Sequence, residues 1–232
     1  MQAVILAAGE GKRLRPFTDS MPKPMVNVQG RPILEYVISA LPGNVKEIIL
    51  VVGYKSDAIK KYFGDFFVDK RLSYVFQAEP KGTADALCAA RNLLTSEYFI
   101  LLNGDDLYHP EDLKIFLSPR PTVFVKHSKT PERFGVCLLN EEGFIAKIIE
   151  KPQNPPSSLV NTGAYILNHE IWDVPVAVLP GRELYLAEQI GDWAEKRPVC
   201  AHEVKFWNPI NNPEELEEAK QCDLKAIFPS LN

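Results

Sequence analysis

The residues with the most chemistry to offer lie in one glycine-rich stretch near the N-terminus. Ala7-Ala8-Gly9-Glu10-Gly11-Lys12-Arg13-Leu14-Arg15-Pro16 follows a short apolar run. Small residues and two glycines let the backbone approach a ligand closely, and consecutive N–H groups in such a turn form an anion-binding nest. Between Gly9 and Lys23, the cations Lys12, Arg13, Arg15 and Lys23 outnumber Glu10 and Asp19, a local charge of +2 in a chain of net charge −4. A polyphosphate requires such a concentration of cations. Two familiar phosphate loops are excluded: Lys12 is followed by Arg13 rather than Ser or Thr, and Leu14 stands where a dinucleotide fingerprint needs its third glycine. On charge alone the segment reads equally well as a solvated surface loop.

Further polar groups follow apolar runs. Asp105 and Asp106 come directly after Tyr98-Phe-Ile-Leu-Leu-Asn-Gly, where an Asp is as often a turn former as a ligand. Asp106 reads as a supporting group, or as a partner for the dipole of a helix after the turn. In Gln77-Ala-Glu-Pro-Lys-Gly82-Thr83-Ala84, the carboxamide offers both a donor and an acceptor. The plain alternative there is a strand, a turn and a helix capped by Thr83. Glu150-Lys151 reads by itself as a weak surface ion pair. His109, His127, His169 and His202 have no metal-ligand spacing, and no Ser or Cys stands in a nucleophile motif.

The elements that must position these groups follow from periodicity. In the first half, apolar runs at Ala3 to Leu6, Glu47 to Val52, Ser73 to Gln77 and Tyr98 to Asn103 alternate with helical spacing. The helices are Ile33 to Leu41, one through Phe63 capped by Ser56 or Asp57, and Thr83 to Leu94. This is an α/β pattern that predicts a doubly wound, mostly parallel sheet, with the loops after Leu6, Gln77 and Asn103 facing one crevice. From about Pro121, strands at Thr122 to Lys126, Gly135 to Leu139, Phe144 to Glu150 and Val160 to Leu167 predict an antiparallel extension, interrupted by the loop Lys151 to Pro156. Helices over Arg182 to Lys196 and Pro213 to Gln221 close the chain, with a strand near Val199 to Val204 between them. The expectation is a single domain over 1–232, without internal repeats.

With 232 residues, 46% hydrophobic and 24% charged, the chain is long enough to fold without disulfide or metal. This ordinary composition excludes a disordered acidic tail, and the net charge of −4 gives no support to a general nucleic-acid binder, which would carry a basic excess; no nucleic-acid partner is expected. Cys88, Cys137, Cys200 and Cys222 contain no C-x-x-C pair and read as reduced thiols, mostly in the core. The absence of a signal peptide and of a long apolar run leads to the expectation of a cytoplasmic protein with no membrane partner.

Ala3-Val-Ile-Leu-Ala-Ala-Gly-Glu-Gly-Lys-Arg-Leu-Arg-Pro-Phe-Thr18, Pro22-Lys-Pro-Met25 and Pro32-Ile-Leu-Glu-Tyr36 closely resemble the signature of sugar-1-phosphate nucleotidylyltransferases. One departure is Lys12, where that family usually has Thr or Ser. The resemblance implies a Rossmann-like sheet of the nucleotide-diphospho-sugar transferase type, divided into a nucleotide-binding half (1–120) and a sugar-binding half (121–232). It implies that Arg13 and Lys23 serve the phosphates. Asp105 would bind Mg²⁺, with Asn211 as second ligand and Asn208 as the alternative, because Pro209 of Trp207-Asn-Pro-Ile-Asn-Asn-Pro-Glu-Glu-Leu216 stands opposite the second Asp of many relatives. The implied substrate contacts are Leu6, Ala7, Ala8, Gly9 and Gly11 in the loop, and Gln77, Gly82 and Thr83 at the base. Asn103 and Gly104 lie beside Asp105, and Gly135, Glu150, Lys151, Asn161 and Asn211 complete the sugar side.

The implied partners are a nucleoside triphosphate and a sugar 1-phosphate, with homodimerisation left open. UTP ranks first, dTTP second and GTP third. Gln77-Ala78-Glu79 and Asn211-Asn212 resemble the N-acetylglucosamine-1-phosphate uridylyltransferases most, although the chain is too short to include the acetyltransferase β-helix of bifunctional relatives. Asn161-Thr162-Gly163 argues for a sugar and against phosphocholine with CTP. The alternative from another class is a non-catalytic regulatory subunit that binds a nucleotide-sugar, which the retained Arg13, Lys23 and Asp105 oppose.

Overall fold

A computed structural model describes residues 1–176 and 183–231. The chain runs β1 (Gln2–Ala7), a hairpin of β2 (Asn27–Val28) and β3 (Arg31–Pro32), α1 (Ile33–Ala40), β4 (Glu47–Val52), α2 (Ser56–Phe63), β5 (Phe66–Phe67) and β6 (Lys70–Phe76). It continues through α3 (Thr83–Ala90), β7 (Tyr98–Asn103), β8 (Asp106–Tyr108), α4 (Pro110–Leu113), β9 (Thr122–His127), β10 (Gly135–Leu139), β11 (Ile145–Glu150) and β12 (Leu159–Asn168). The C-terminal part holds α5 (Leu186–Ala194), β13 (Cys200–Glu203), β14 (Trp207–Pro209), α6 (Pro213–Gln221) and α7 (Leu224–Ile227).

A ten-stranded sheet of order β11-β10-β12-β7-β1-β4-β6-β5, with β9 paired to β12 and β13, forms the centre. β7, β1, β4 and β6 are parallel, and β12 joins β7 antiparallel, so the expected doubly wound sheet with an antiparallel extension is present. The parallel strands are apolar throughout because both faces are covered. Their alternation divides the core: Ala3, Ile5, Ile48, Leu50, Ile100 and Leu102 pack on the face of α1, α2, α6 and α7. Val4, Ile49, Val51, Phe99 and Leu101 pack on the face of α3 and α5. Each cluster draws residues from before and after Pro121. Among the described residues, no helix is long and apolar enough to cross a membrane.

Strand order reverses between β1 and β7, and a crevice at their carboxyl ends is the ligand position such sheets provide. There the chain crosses closely: Gly104 N–H donates to Leu6 O at 2.8 Å, and a Cβ on Gly104 would stand 2.9 Å from that oxygen. β12 deforms at the same place, its pairing with β9 shifting register between Asn161 and Tyr165. Gly163, at φ 72°, makes the bend, and a Cβ there would overlap the Asn103 amide. The bulge turns residues 161–163 away from the ladder and toward the crevice.

Several local readings need correction. β6 ends at Phe76 and starts earlier than Ser73, because its N-terminal end pairs with β5. The helix from Thr83 ends at Ala90 and tightens to a 3₁₀ turn over Arg91–Leu93. Neither Ser56 nor Asp57 caps α2: Lys55 holds the cap position at φ 51°, and both polar residues lie inside the first turn. The strand near Val199 to Val204 is limited to Cys200–Glu203, and the helix expected from Arg182 begins at Leu186, with Arg182 outside the described residues. The cysteines are free, but Cys137 alone of the four is buried, and Cys88 is exposed on α3.

Thr83 does not cap its own helix. It stands one position inside α3, where its hydroxyl accepts from Leu186 N–H at 3.0 Å, at the start of α5. Leu184 N–H donates to Lys81 O at 2.8 Å, and Ala84 N–H donates to Leu184 O at 2.9 Å, so the segments at 81–84 and 184–186 are zippered together. Gly82, at φ 121°, permits this, since a Cβ there would lie 2.5 Å from Leu184 O. Gly82→Ala therefore combines backbone strain with a clash, and a stability loss of roughly 1–3 kcal/mol is expected in urea unfolding. An unchanged midpoint would show that the zipper is not tight.

Candidate active site

Lys23 begins a short 3₁₀ turn, Lys23–Met25, under the glycine loop, and is only 6% exposed. Its ammonium donates to Asp105 Oδ2 at 2.6 Å and to Asn211 Oδ1 at 3.4 Å. Arg13 Nη2 also donates to Asn211 Oδ1, at 3.4 Å. Four expected residues, far apart in sequence, thus meet at one point. Gly11 makes the approach possible: it is left-handed at φ 67°, and a Cβ would stand 2.8 Å from that of Lys23. Thr18 Oγ1 donates to Gly11 O at 2.9 Å and fixes the turn.

Two adjoining depressions share Arg13, Asp105, Glu183 and Asn211. One is walled by the glycine loop from Gly9 to Arg13, with Lys23 and Pro80. The other carries Leu6, Thr83 and Asn103 on one side and Gly135, Glu150, Lys151 and Asn161 on the other. Gln77 lies outside both, in a shallow depression with Glu79, Lys81 and Asp85, although the loop after it sends Pro80 and Thr83 to the walls of the other two. Ala7, Ala8, Gly82 and Gly104 are not wall residues; Gly82 is covered by Leu184 and Gly104 by the β1 backbone. Asn208 turns elsewhere, its Nδ2 being 3.9 Å from Cys222 Sγ.

The depression on the Gly135 side has an ordered polar wall. Asn161 Nδ2 donates to Gly135 O at 3.1 Å, and its Oδ1 accepts from Tyr165 Oη at 2.7 Å and Gly163 N–H at 3.1 Å. One amide hydrogen remains for a ligand. Burial raises Tyr165 well above the usual tyrosine range, with the Glu150 charge adding to it, so the hydroxyl stays a donor. Gly135 has no room for a side chain, since a Cβ would lie 2.1 Å from Asn161 Nδ2 and 2.9 Å from Glu150 Oε2. Lys151 Nζ lies 3.4 Å from Glu150 Oε1 and 4.9 Å over the Tyr185 ring, which fixes a cation at the rim.

Asp106 is buried in β8 and is no helix-dipole partner, because a strand follows the turn. Asn103, Tyr108 and Trp207 each donate to its Oδ2 at 3.4 Å. Burial, then the neighbouring Asp105, pushes its carboxyl up to about 7. Asp105 is the more open of the two, with 31% of its side chain exposed.

Sequence reasoning passed over Arg133 and Glu215. Arg133 lines the depression on the Gly135 side and pairs with Glu215 Oε1 at 2.7 Å, while Glu215 Oε2 accepts from Asn211 N–H at 2.6 Å. Asn212 Oδ1 in turn accepts from Glu215 N–H at 2.8 Å. The signal was the N-x-x-E spacing of a capping box at Asn212, with Glu215 reaching back one residue farther than usual. Nothing in its spacing distinguishes Arg133.

The sequence profile of the nucleotidyl transferase family matches residues 2–225. Among curated proteins, the chain is 34% identical to the bifunctional protein GlmU of Methanocaldococcus jannaschii, over 98% of itself and 55% of that protein. It is also 34% identical to the UTP–glucose-1-phosphate uridylyltransferase AglF of Haloferax volcanii, over 95% of itself and 96% of AglF. The chain thus spans about half the length of the GlmU proteins it matches. A crystal structure of UDP-glucose pyrophosphorylase complexed with UDP-glucose superposes with a TM-score of 0.85 at 23% identity, covering 97% of this chain and 98% of that one, and shares its fold.

Glu215→Ala leaves Asn211 N–H and the Arg133 guanidinium without their acceptor at once. A loss of about 1–3 kcal/mol is expected in urea unfolding, and a smaller one for Glu215→Gln, which keeps an acceptor for Asn211. Equal losses in the two variants would mean that the neutral acceptor kept in Glu215→Gln contributes nothing and that the whole effect is one of charge.

Proposed function

Since the chain belongs to the nucleotidyl transferase family, we propose that it transfers a nucleotidyl group from a nucleoside triphosphate, UTP before dTTP, to a sugar 1-phosphate of hexose or N-acetylhexosamine type. The observation that carries this reading is the convergence of Arg13 and Lys23 with Asp105 and Asn211 between two depressions. One depression suits a polyphosphate by its glycine nest and cations. The other suits a polyol by its paired donors and acceptors. The substrates for which AglF is named, UTP and glucose 1-phosphate, support the same choice. We read the chain as one domain, with nucleotide contacts in 1–120 and sugar contacts in 121–232.

The donor set fits Mg²⁺. Asp105 and Asn211 point a carboxylate and a carboxamide oxygen at the same ammonium, and two hard protein oxygens are the usual complement when substrate phosphates supply the rest. Among the described residues, no group of three His, Cys, Asp or Glu is placed to hold a metal unaided. Asp105 and Asn211 would therefore hold the ion, which when bound supplies charge neutralisation between the phosphates.

A sugar phosphate has its second pKa near about 6 and is mostly dianionic at neutral pH, so its oxygen attacks the α-phosphorus without a general base. What remains is positioning and charge stabilisation in an in-line displacement. Arg13, at the mouth of the glycine loop, holds the departing pyrophosphate. Lys23, buried and fixed by Gly11, meets the charge that develops at the α-phosphate.

Pyrophosphate release should be seen with UTP and a sugar 1-phosphate in a panel of four triphosphates, and its absence across the panel would refute the reading. Lys23→Ala and Arg13→Ala should each lower kcat by about 10²–10³-fold, the usual magnitude for losing one donor to developing charge. Asp105→Asn should abolish turnover that depends on a divalent cation, and chelation of the wild type should do the same. Wild-type rates in either experiment would remove the assigned roles.

A further inference from the structure

Gln77 follows β6 and is 9% exposed, so its side chain is held rather than solvated. Both of its side-chain hydrogen bonds leave from Nε2, one to Asp85 Oδ2 at 2.7 Å and the other to Gly82 O at 3.3 Å. A carboxylate oxygen and a peptide carbonyl only accept. Turning the carboxamide over would set oxygen against oxygen at both contacts, so its orientation is fixed by chemistry. Oε1, an acceptor, is the atom left for a ligand. Among the described residues Asp85 makes no ion pair, and the Gln77 amide is its one side-chain hydrogen-bond partner.

Gln77 adjoins the elements that wall the two depressions. Gly53 sits between Ala8 and Gln77, with a Cβ position 2.9 Å from Ala8 O and 3.2 Å from Gln77 O. The segment that starts at Gln77 therefore begins beside the glycine loop, and it continues through Pro80 and Thr83, which line the two depressions.

We propose that Asp85 is a positioning residue that fixes which atom of Gln77 meets the base, and so selects uracil or thymine over cytosine. This rests on the nucleotidyl-transfer reading. Uracil and thymine carry a proton on N3, which a fixed acceptor receives; cytosine carries a lone pair there, which it repels. A glutamine free to turn over would serve either base. Guanine, with a proton on N1, is not rejected by this contact. Asp85 itself touches no substrate.

Steady-state transfer is measured with UTP, CTP and N3-methyl-UTP for the wild type, Gln77→Ala, Asp85→Asn and Asp85→Ala, with a thermal melt of each. The wild type should favour UTP over the other two. Asp85→Asn keeps the shape but can donate, so only the longer Gly82 contact still opposes turning Gln77 over. The ratio of kcat/KM for UTP over CTP should fall by roughly tenfold or more, mainly through KM. Asp85→Ala should lower it in the same direction. If both Asp85 variants keep the wild-type ratio while Gln77→Ala loses it, the proposal is overturned and the base contact stands. If Gln77→Ala keeps the ratio as well, Gln77 does not contact the base. A wild type without transfer activity would instead defeat the underlying reading.

Discussion

The site depends on a lysine ammonium held out of solvent between one carboxylate and one carboxamide. Burying a charge is costly unless it is paired and hydrogen-bonded, and Lys23 meets that demand through Asp105 and Asn211. The three residues come from the 3₁₀ turn under the glycine loop, the turn after β7 and the segment before α6. Their meeting therefore requires the β1–β7 crossing, the left-handed turn at Gly11 and the Glu215 contact at Asn211 all to be in place. Each oxygen that faces the ammonium is also one that a divalent cation would take, so the arrangement holds the donors close together before any substrate arrives.

Much of this was legible in the sequence, for definite reasons. The parallel strands carry unbroken apolar runs that only double coverage explains, and their extent at β1, β4 and β7 was read to within about a residue. Gly11, Gly135 and Gly163 mark places where no side chain fits; the first two were themselves expected in the site, and Gly163 comes two positions after Asn161. Less legible were relations settled by packing across distant segments. Thr83 looks like a cap in its local sequence, yet its hydroxyl serves Leu186, about a hundred positions on. Arg133 has no local signature because its partner, Glu215, is recruited by a helix start in another part of the chain. Gln77 was expected in the common crevice and lies in a neighbouring depression, since its side chain follows Asp85 and the start of α3.

The two halves of the sequence are tied together at two points flanking the site. One is the zipper of Lys81–Ala84 with Leu184–Leu186, which fixes the start of α5 against that of α3. The other is Glu215, which links the turn before β10 to the backbone beside the lysine. Between them, the bulge in β12 supplies Asn161 with partners on three sides. A wall built this way needs little rearrangement to meet a ligand, because its polar atoms are already oriented by backbone and tyrosine contacts.

The partition separating the two depressions consists of shared residues, Arg13, Asp105, Glu183 and Asn211, and each presents itself to both sides. A molecule joined across that partition occupies both compartments at once. For the reaction proposed, the nucleotide-sugar formed in the forward direction would obstruct either precursor from entering, so its accumulation would slow its own synthesis by simple occupancy, without a separate regulatory pocket.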